Sequence, residues 1–229
     1  MEIQTTLVSQ ATDIEKGEFY KKTYLHVAFA LLAFALVEYI LLFNIPEEYI
    51  IAMVSQKFAW LLILGLFWLG STLANKWTLS QSKNVQYLGL AFYVLLEAII
   101  FLPMIYLAVV YTESLEVLKQ AALLTLALFG GLTAVAFLSN KDFSFLKNVI
   151  VIGGFVSLGL IVIAILFGFN LGLWFSVGMV VLASASILYQ TSQIKDQFST
   201  DQYVGASLQL FASIMLLFWY VLRILMSRK

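Results

Sequence analysis

Seven apolar runs of about twenty residues, separated by short polar loops, constrain this chain more than any other feature. They are Thr23–Phe43, Phe58–Leu79, Asn84–Val110, Val117–Leu138, Phe145–Phe167, Leu171–Thr191 and Tyr203–Leu225. At ~1.5 Å per residue, each is close to the length that crosses a hydrocarbon core of about 30 Å. Backbone polar groups in lipid must be satisfied within the segment, so each run is expected to be a helix. No ten-residue alternating pattern points to a barrel. Only 11% of the residues are charged and 62% are hydrophobic, whereas an ordinary soluble domain has about 25% charged residues. The expected fold class is therefore all-α, a polytopic membrane bundle. Short loops make consecutive helices antiparallel neighbours in one domain over residues 20–229, preceded by a polar segment, 1–19. That segment has no basic stretch leading into a cleavable apolar run, so it does not read as a secretory signal peptide.

The last run should be the central helix. Gly205, Ala206, Ser207, Gln209, Ala212 and Ser213 lie on several sides of its first half, whereas a helix facing lipid would keep its polar groups to one stripe. Thr200 or Asp201 is the expected N-cap of this helix. Gly130-Gly131, Gly153-Gly154 with Ser157, and Gly172 with Ser176 are candidate close-packing faces. Trp60, Trp77, Trp174 and Trp219 are candidate interface anchors, with an interior position open for Trp219. Pro103 removes a backbone hydrogen bond and is expected to bend the third span.

Charge gives an expected orientation and bears on several functions. Thirteen basic and thirteen acidic residues give no net charge, and no nucleic-acid partner is expected; the absence of cysteine excludes disulfides and thiolate metal sites. Lys16, Lys21, Lys22, Lys76, Lys83, Lys141, Lys147 and Lys195 fall on the side of the N-terminus. The opposite loops carry Lys57 and Lys119 with Glu47, Glu48, Glu113 and Glu116. Positive charge concentrates in the cytoplasm, so the N-terminus is expected there. Seven spans then leave Arg223, Arg228 and Lys229 outside, against the same rule; either the tail is a tolerated exception or one segment is re-entrant and the tail returns inside, and seven spans are preferred because every run is long enough. No G-x-S-x-G elbow, H-E-x-x-H, Walker loop or dinucleotide-binding glycine pattern occurs, so neither an enzyme nor a cofactor is expected.

Charged groups deep in a bilayer cost a few kcal/mol each, even on the lenient insertion scale (roughly 2.5–3.5), and call for a reason. Glu38 in the first span and Glu97 in the third fall at similar depth. They can line a cation path, or sit as neutral acids hydrogen-bonded to a neighbouring helix. His26, the lone histidine, can titrate near neutral pH or act as an interfacial hydrogen-bonding residue. No metal site can be assigned from spacing. Gln209 and Ser213 are buried in the last apolar run, and Gln190 lies near the inner end of the sixth.

The last two spans form a hairpin that carries most of these groups. Its pattern is Ile187-Leu188-Tyr189-x-Thr191-Ser192-Gln193-Ile194, then Thr200-Asp201-x-Tyr203-Val204, then a Leu-rich helix closing on Leu222-Arg223-Ile224-Leu225. Upstream stand Lys22-Thr23-Tyr24-x-His26, Glu97 with Pro103, and Asp142-Phe143-Ser144-Phe145-Leu146. Together these resemble the Bax inhibitor-1 (transmembrane Bax inhibitor motif) family, from about Tyr20 to Leu225.

The resemblance implies a central last helix and a calcium or cation leak, in a plasma membrane (the inner membrane of a bacterium). The family carries two aspartates that share a proton and act as a pH-dependent latch. By alignment those positions hold Gln190 and Ser213, so the resemblance implies a latch position without its titrating pair. An arginine that some bacterial members place near the pair corresponds to Gly70. Two functions stay open. One is a pH-insensitive cation leak channel or transporter, with Glu38, Glu97, Gln190 and Ser213 as oxygen donors. The other is a non-conducting membrane regulator or scaffold that binds other membrane proteins. Gln190 and Ser213 are expected to approach within a direct or water-mediated hydrogen bond.

Overall fold

The computed structural model describes residues 6–112, 114–139 and 141–227, with the backbone alone at Lys57, Tyr111 and Thr112. Glu113, Arg228 and Lys229, which enter the charge count above, lie outside the described residues. Eight helices follow in order: α1 Asp13–Asn44, α2 Glu47–Ser55, α3 Lys57–Thr78, α4 Lys83–Thr112, α5 Glu116–Leu138, α6 Leu146–Phe167, α7 Gly172–Asp196 and α8 Tyr203–Met226. Seven of them are long and apolar enough to cross a bilayer. The short helix α2 is the exception. It follows Pro46, which cannot continue α1, and it buries Ile50 against the bundle.

Helix α1 starts about ten residues before its apolar run. The cause is a capping box: the Thr12 hydroxyl accepts from the Glu15 N–H at 3.4 Å, and the Glu15 carboxylate accepts from the Thr12 N–H at 2.8 Å. The segment before it is tied down as well. The Val8 N–H donates to the Phe198 carbonyl at 2.9 Å, the Thr200 N–H donates to the Thr6 carbonyl at 3.0 Å, and Val8 is fully buried. This strap packs on Phe19, Ile194 and Phe198, so the polar N-terminal segment is part of the fold.

Helix α8 is central, as its distribution of small and polar residues predicts. It packs against α1, α3, α4, α5 and α7, and its residues from Val204 to Leu208 are all buried. Between Val204 and Arg223 the partly open residues are Gln209, Ala212, Leu216, Trp219 and Arg223, a stripe at helical spacing along one face. Helix α4 is as deeply buried, with Pro103 inside it and not at its end. The N-cap of α8 is Gln202, without a side-chain cap bond. The Thr200 N–H is instead used by the N-terminal strap, and an Asp201 side-chain oxygen is buried without a partner.

The glycines match the expectation only in part. A Cβ at Gly130, Gly131, Gly154 or Gly172 would meet nothing within 4 Å, so these do not mark close helix contacts, whereas at Gly153 it would lie 2.7 Å from Leu182 of α7, as the expected close-packing face requires. A close approach to a neighbouring backbone is at Gly89, where a Cβ would lie 2.9 Å from the Ala74 carbonyl and 2.9 Å from Trp77 Cβ. There α3 and α4 touch backbone to backbone.

Candidate functional site

The open stripe of α8 faces a cleft of about 780 Å³ walled by α3, α4, α6 and α7. It exists because α3 and α6, its two outer walls, barely touch each other. Aromatic and side-chain contacts fix the depth of each wall against α8. Ser186 meets Ser213, Phe101 meets Trp219, and Gly205 abuts Thr78. The cleft therefore has two halves. Toward the face that holds the N-terminus it presents Ser71, Thr72, Asn75, Ser186, Gln190 and Gln209, with Glu97 and Ser213 at mid-depth. Toward the opposite face it is lined by Trp60, Leu64, Phe101, Leu158, Leu216 and Trp219, and it ends on Arg223.

Glu97 is 5% exposed and faces this cleft. The Tyr93 hydroxyl, one turn earlier on α4, is its neighbour. The side-chain oxygens of Asn75 on α3 and Gln190 on α7 are buried and have no hydrogen-bond partner. Such atoms are costly in an apolar setting, about 1–3 kcal/mol each, and are met by a ligand or water when one is available. Among the described residues no three His, Cys, Asp or Glu side chains gather as a metal site. Any cation here would meet one carboxyl and several neutral oxygens.

Four of the sequence-expected residues come together in the cleft: Glu97, Gln190, Gln209 and Ser213. Gln190 and Ser213 both line the cleft, without a direct bond from the Gln190 oxygen. The Ser213 hydroxyl bonds that of Ser186 at 2.8 Å and donates to the Gln209 carbonyl at 3.0 Å, while the Gln190 oxygen has no partner. Ser186 precedes Gln190 by one turn, about 5.4 Å, so the meeting point lies one turn along α7 from the aligned residue. Gly70 does not line the cleft, and a Cβ there would come within 2.7 Å of Leu96. An arginine at that place would have to displace Leu96.

Glu38 and His26 lie elsewhere. Glu38 is 4% exposed with both carboxyl oxygens lacking partners, and it is not part of the cleft wall. His26 is at the N-terminal face. Its Nδ1 is 2.6 Å from the Lys22 carbonyl, and its ring stacks on Tyr87 at 5.6 Å and leans on Tyr203. Trp219 turns inward onto Phe101 at 4.9 Å, and Trp174 stays on the outside. Sequence reasoning missed Asn75, Ser186 and Arg223 as cleft residues. Helical spacing held the signal for two of them, since Asn75 is four residues from Ser71 and Ser186 four from Gln190.

Fold and cleft together define a seven-span helical membrane protein whose last helix floors a polar-to-apolar cleft. Its family follows from the match of residues 16–229 to the family described as inhibitor of apoptosis-promoting Bax1, to which the chain belongs. An uncharacterised protein of Pseudomonas aeruginosa is 38% identical over 110 residues, covering 48% of this chain and 49% of that protein. A BI1-like protein of Arabidopsis thaliana is 32% identical over 124 residues, 48% of this chain and 45% of its own length. The matched stretches span about half the length of these curated relatives.

Proposed function

We propose that this protein is a cation leak pathway, with calcium as the ion, rather than an enzyme. The observation that carries the reading is Glu97: a buried carboxyl facing a cleft, at the depth of the Ser186–Ser213 pair. Hard cations take oxygen ligands. Asn75, Gln190 and Gln209 continue an oxygen-lined route from Glu97 toward the N-terminal face, two of them with oxygens that lack partners. In the other half Phe101 and Trp219 pack edge to face on the cleft wall, with ring centroids 4.9 Å apart.

The pathway lacks the shared carboxylate proton that couples pH to helix separation. Two serine hydroxyls and an amide do not titrate between about pH 6 and 8, so the latch position is expected to add little pH dependence to the flux, and Glu97, Glu38 and His26 are the groups left to titrate there. The proposed setting is a plasma membrane, the inner membrane in a bacterium, with the lysine-rich N-terminal face in the cytoplasm. The test is calcium influx into proteoliposomes. The folded wild-type protein should raise influx over empty liposomes, and Glu97→Gln should lower it about tenfold or more. Equal flux from both proteins would overturn the role of Glu97.

Arg223 favours a second reading. Its unpaired positive charge stands where a cation would leave, as expected of a non-conducting regulator that binds other membrane proteins. Absence of flux from a folded preparation would support that reading.

A further inference from the structure

We propose that the apolar half of the cleft is a binding site for one acyl chain of an anionic phospholipid, with Arg223 holding the phosphate. This goes beyond the conduction reading and stands whether or not the protein conducts.

Length is the first argument. Arg223 stands ten residues beyond Ser213 on α8, about 15 Å along the helix axis. Half of a hydrocarbon core of about 30 Å is the same distance. A chain descending from a headgroup at Arg223 therefore reaches the level of Ser213, where the lining turns polar.

The lining is the second argument. Between those two levels the walls are Leu64, Phe101, Leu158, Leu216 and Trp219, with no ionised side chain among them. The gap between α3 and α6 gives a lipid tail a sideways entrance from the bilayer.

Charge is the third. Arg223 lines both the long cleft and a second cavity of about 470 Å³ just beyond it. Lys22–Glu18 is the one ion pair among the described residues, so no described carboxylate pairs with Arg223. A half-buried guanidinium without a counter-ion recognises phosphate through its fork of N–H groups. Asn170 lines the same outer cavity. Its side-chain oxygen accepts from the Gly172 N–H at 2.8 Å, which leaves its NH2 group to donate. Trp174 and Phe167, 85% and 78% exposed, mark this end as the membrane interface.

Native mass spectrometry of the purified protein, titrated with phosphatidylglycerol or with phosphatidylcholine of the same acyl chains, tests the site. Phosphatidylglycerol should bind at least tenfold more tightly. Arg223→Gln should remove that preference, and Arg223→Lys should keep part of it. Gly154→Leu fills the cleft from α6, where a Cβ meets nothing within 4 Å, and should weaken both lipids several-fold with the arginine intact. This second variant decides the matter should Arg223→Gln fail to fold. Inorganic phosphate at millimolar concentration should not displace the lipid. Unchanged preference in Arg223→Gln, unchanged affinity in Gly154→Leu, displacement by phosphate alone, or loss of the preference in Lys83→Gln at the opposite face would each overturn the assignment.

Discussion

Replacing Glu38 by methionine should stabilise this protein, whereas the same replacement at Glu97 should not. Both carboxyls are nine-tenths or more buried within apolar helices. Glu38 has no hydrogen-bond partner for either oxygen. An unsatisfied buried polar group costs about 1–3 kcal/mol, and methionine keeps the length and flexibility of the side chain, so little packing is lost. The denatured state in a micelle also finds partners for a carboxyl, which argues for the lower part of the range, about 1–2 kcal/mol. At roughly 2–4 °C per kcal/mol for a chain of this size, Tm should rise by about 2–8 °C. Glu97→Met leaves the buried Tyr93 hydroxyl without its neighbour, so Tm should stay level or fall. The assay is a thermal melt in one detergent, read as the folded fraction surviving size-exclusion chromatography. A fall in Tm for Glu38→Met larger than that for Glu97→Met would refute the reasoning, because it would mean that Glu38 has a partner of real strength.

Aspartates at Gln190 and Ser213 together should introduce a pH-dependent flux between about pH 6 and 8, since like charges held close share a proton; either change alone should do so weakly, measured as calcium influx across that range. Gly89→Val should destabilise by about 1–3 kcal/mol, read as a lower Tm, because its Cβ would meet the Ala74 backbone oxygen at 2.9 Å and that oxygen has little room to yield. Val8→Asp should release the N-terminal strap, since it puts a charge at a fully buried site. Limited proteolysis should then cut the 197–202 loop several-fold faster than in the wild type.

The seven spans were legible because a bilayer demands about twenty apolar residues whatever the neighbours do. The central place of α8 was legible for a related reason: Gly205, Ser207 and Ser213 cannot all avoid lipid unless protein surrounds them. Helix α2 was not legible, because a nine-residue element after Pro46 is too short to span and reads as a loop. The early start of α1 was hidden because the run through Lys21 and Lys22 is polar, although Thr12 and Glu15 held the capping signal. Glycine positions showed which residues lack a Cβ but not which side of the helix faces a neighbour. Gly89 therefore went unnoticed, while Gly130 and Gly131 suggested a contact that is absent.

In the site, residue type and depth were readable and pairing was not. A one-turn offset along α7 decides whether Ser186 or Gln190 meets Ser213, and neither composition nor spacing sets the relative register of two helices. Arg223 read as a tail charge on the wrong side of the membrane. Only the walls around it show that it terminates a cavity.

The most direct test of the central claim, that cations cross through this cleft, uses the absence of native cysteine. A single cysteine at Gln209, on the open stripe of α8, can be labelled with a charged methanethiosulfonate in proteoliposomes. Val181→Cys on the exterior of α7, where the residue is 64% exposed, serves as the comparison. Calcium influx through Gln209→Cys should fall to the level of empty liposomes on labelling, with Val181→Cys unaffected. Complete labelling of Gln209→Cys with influx unchanged would contradict the account.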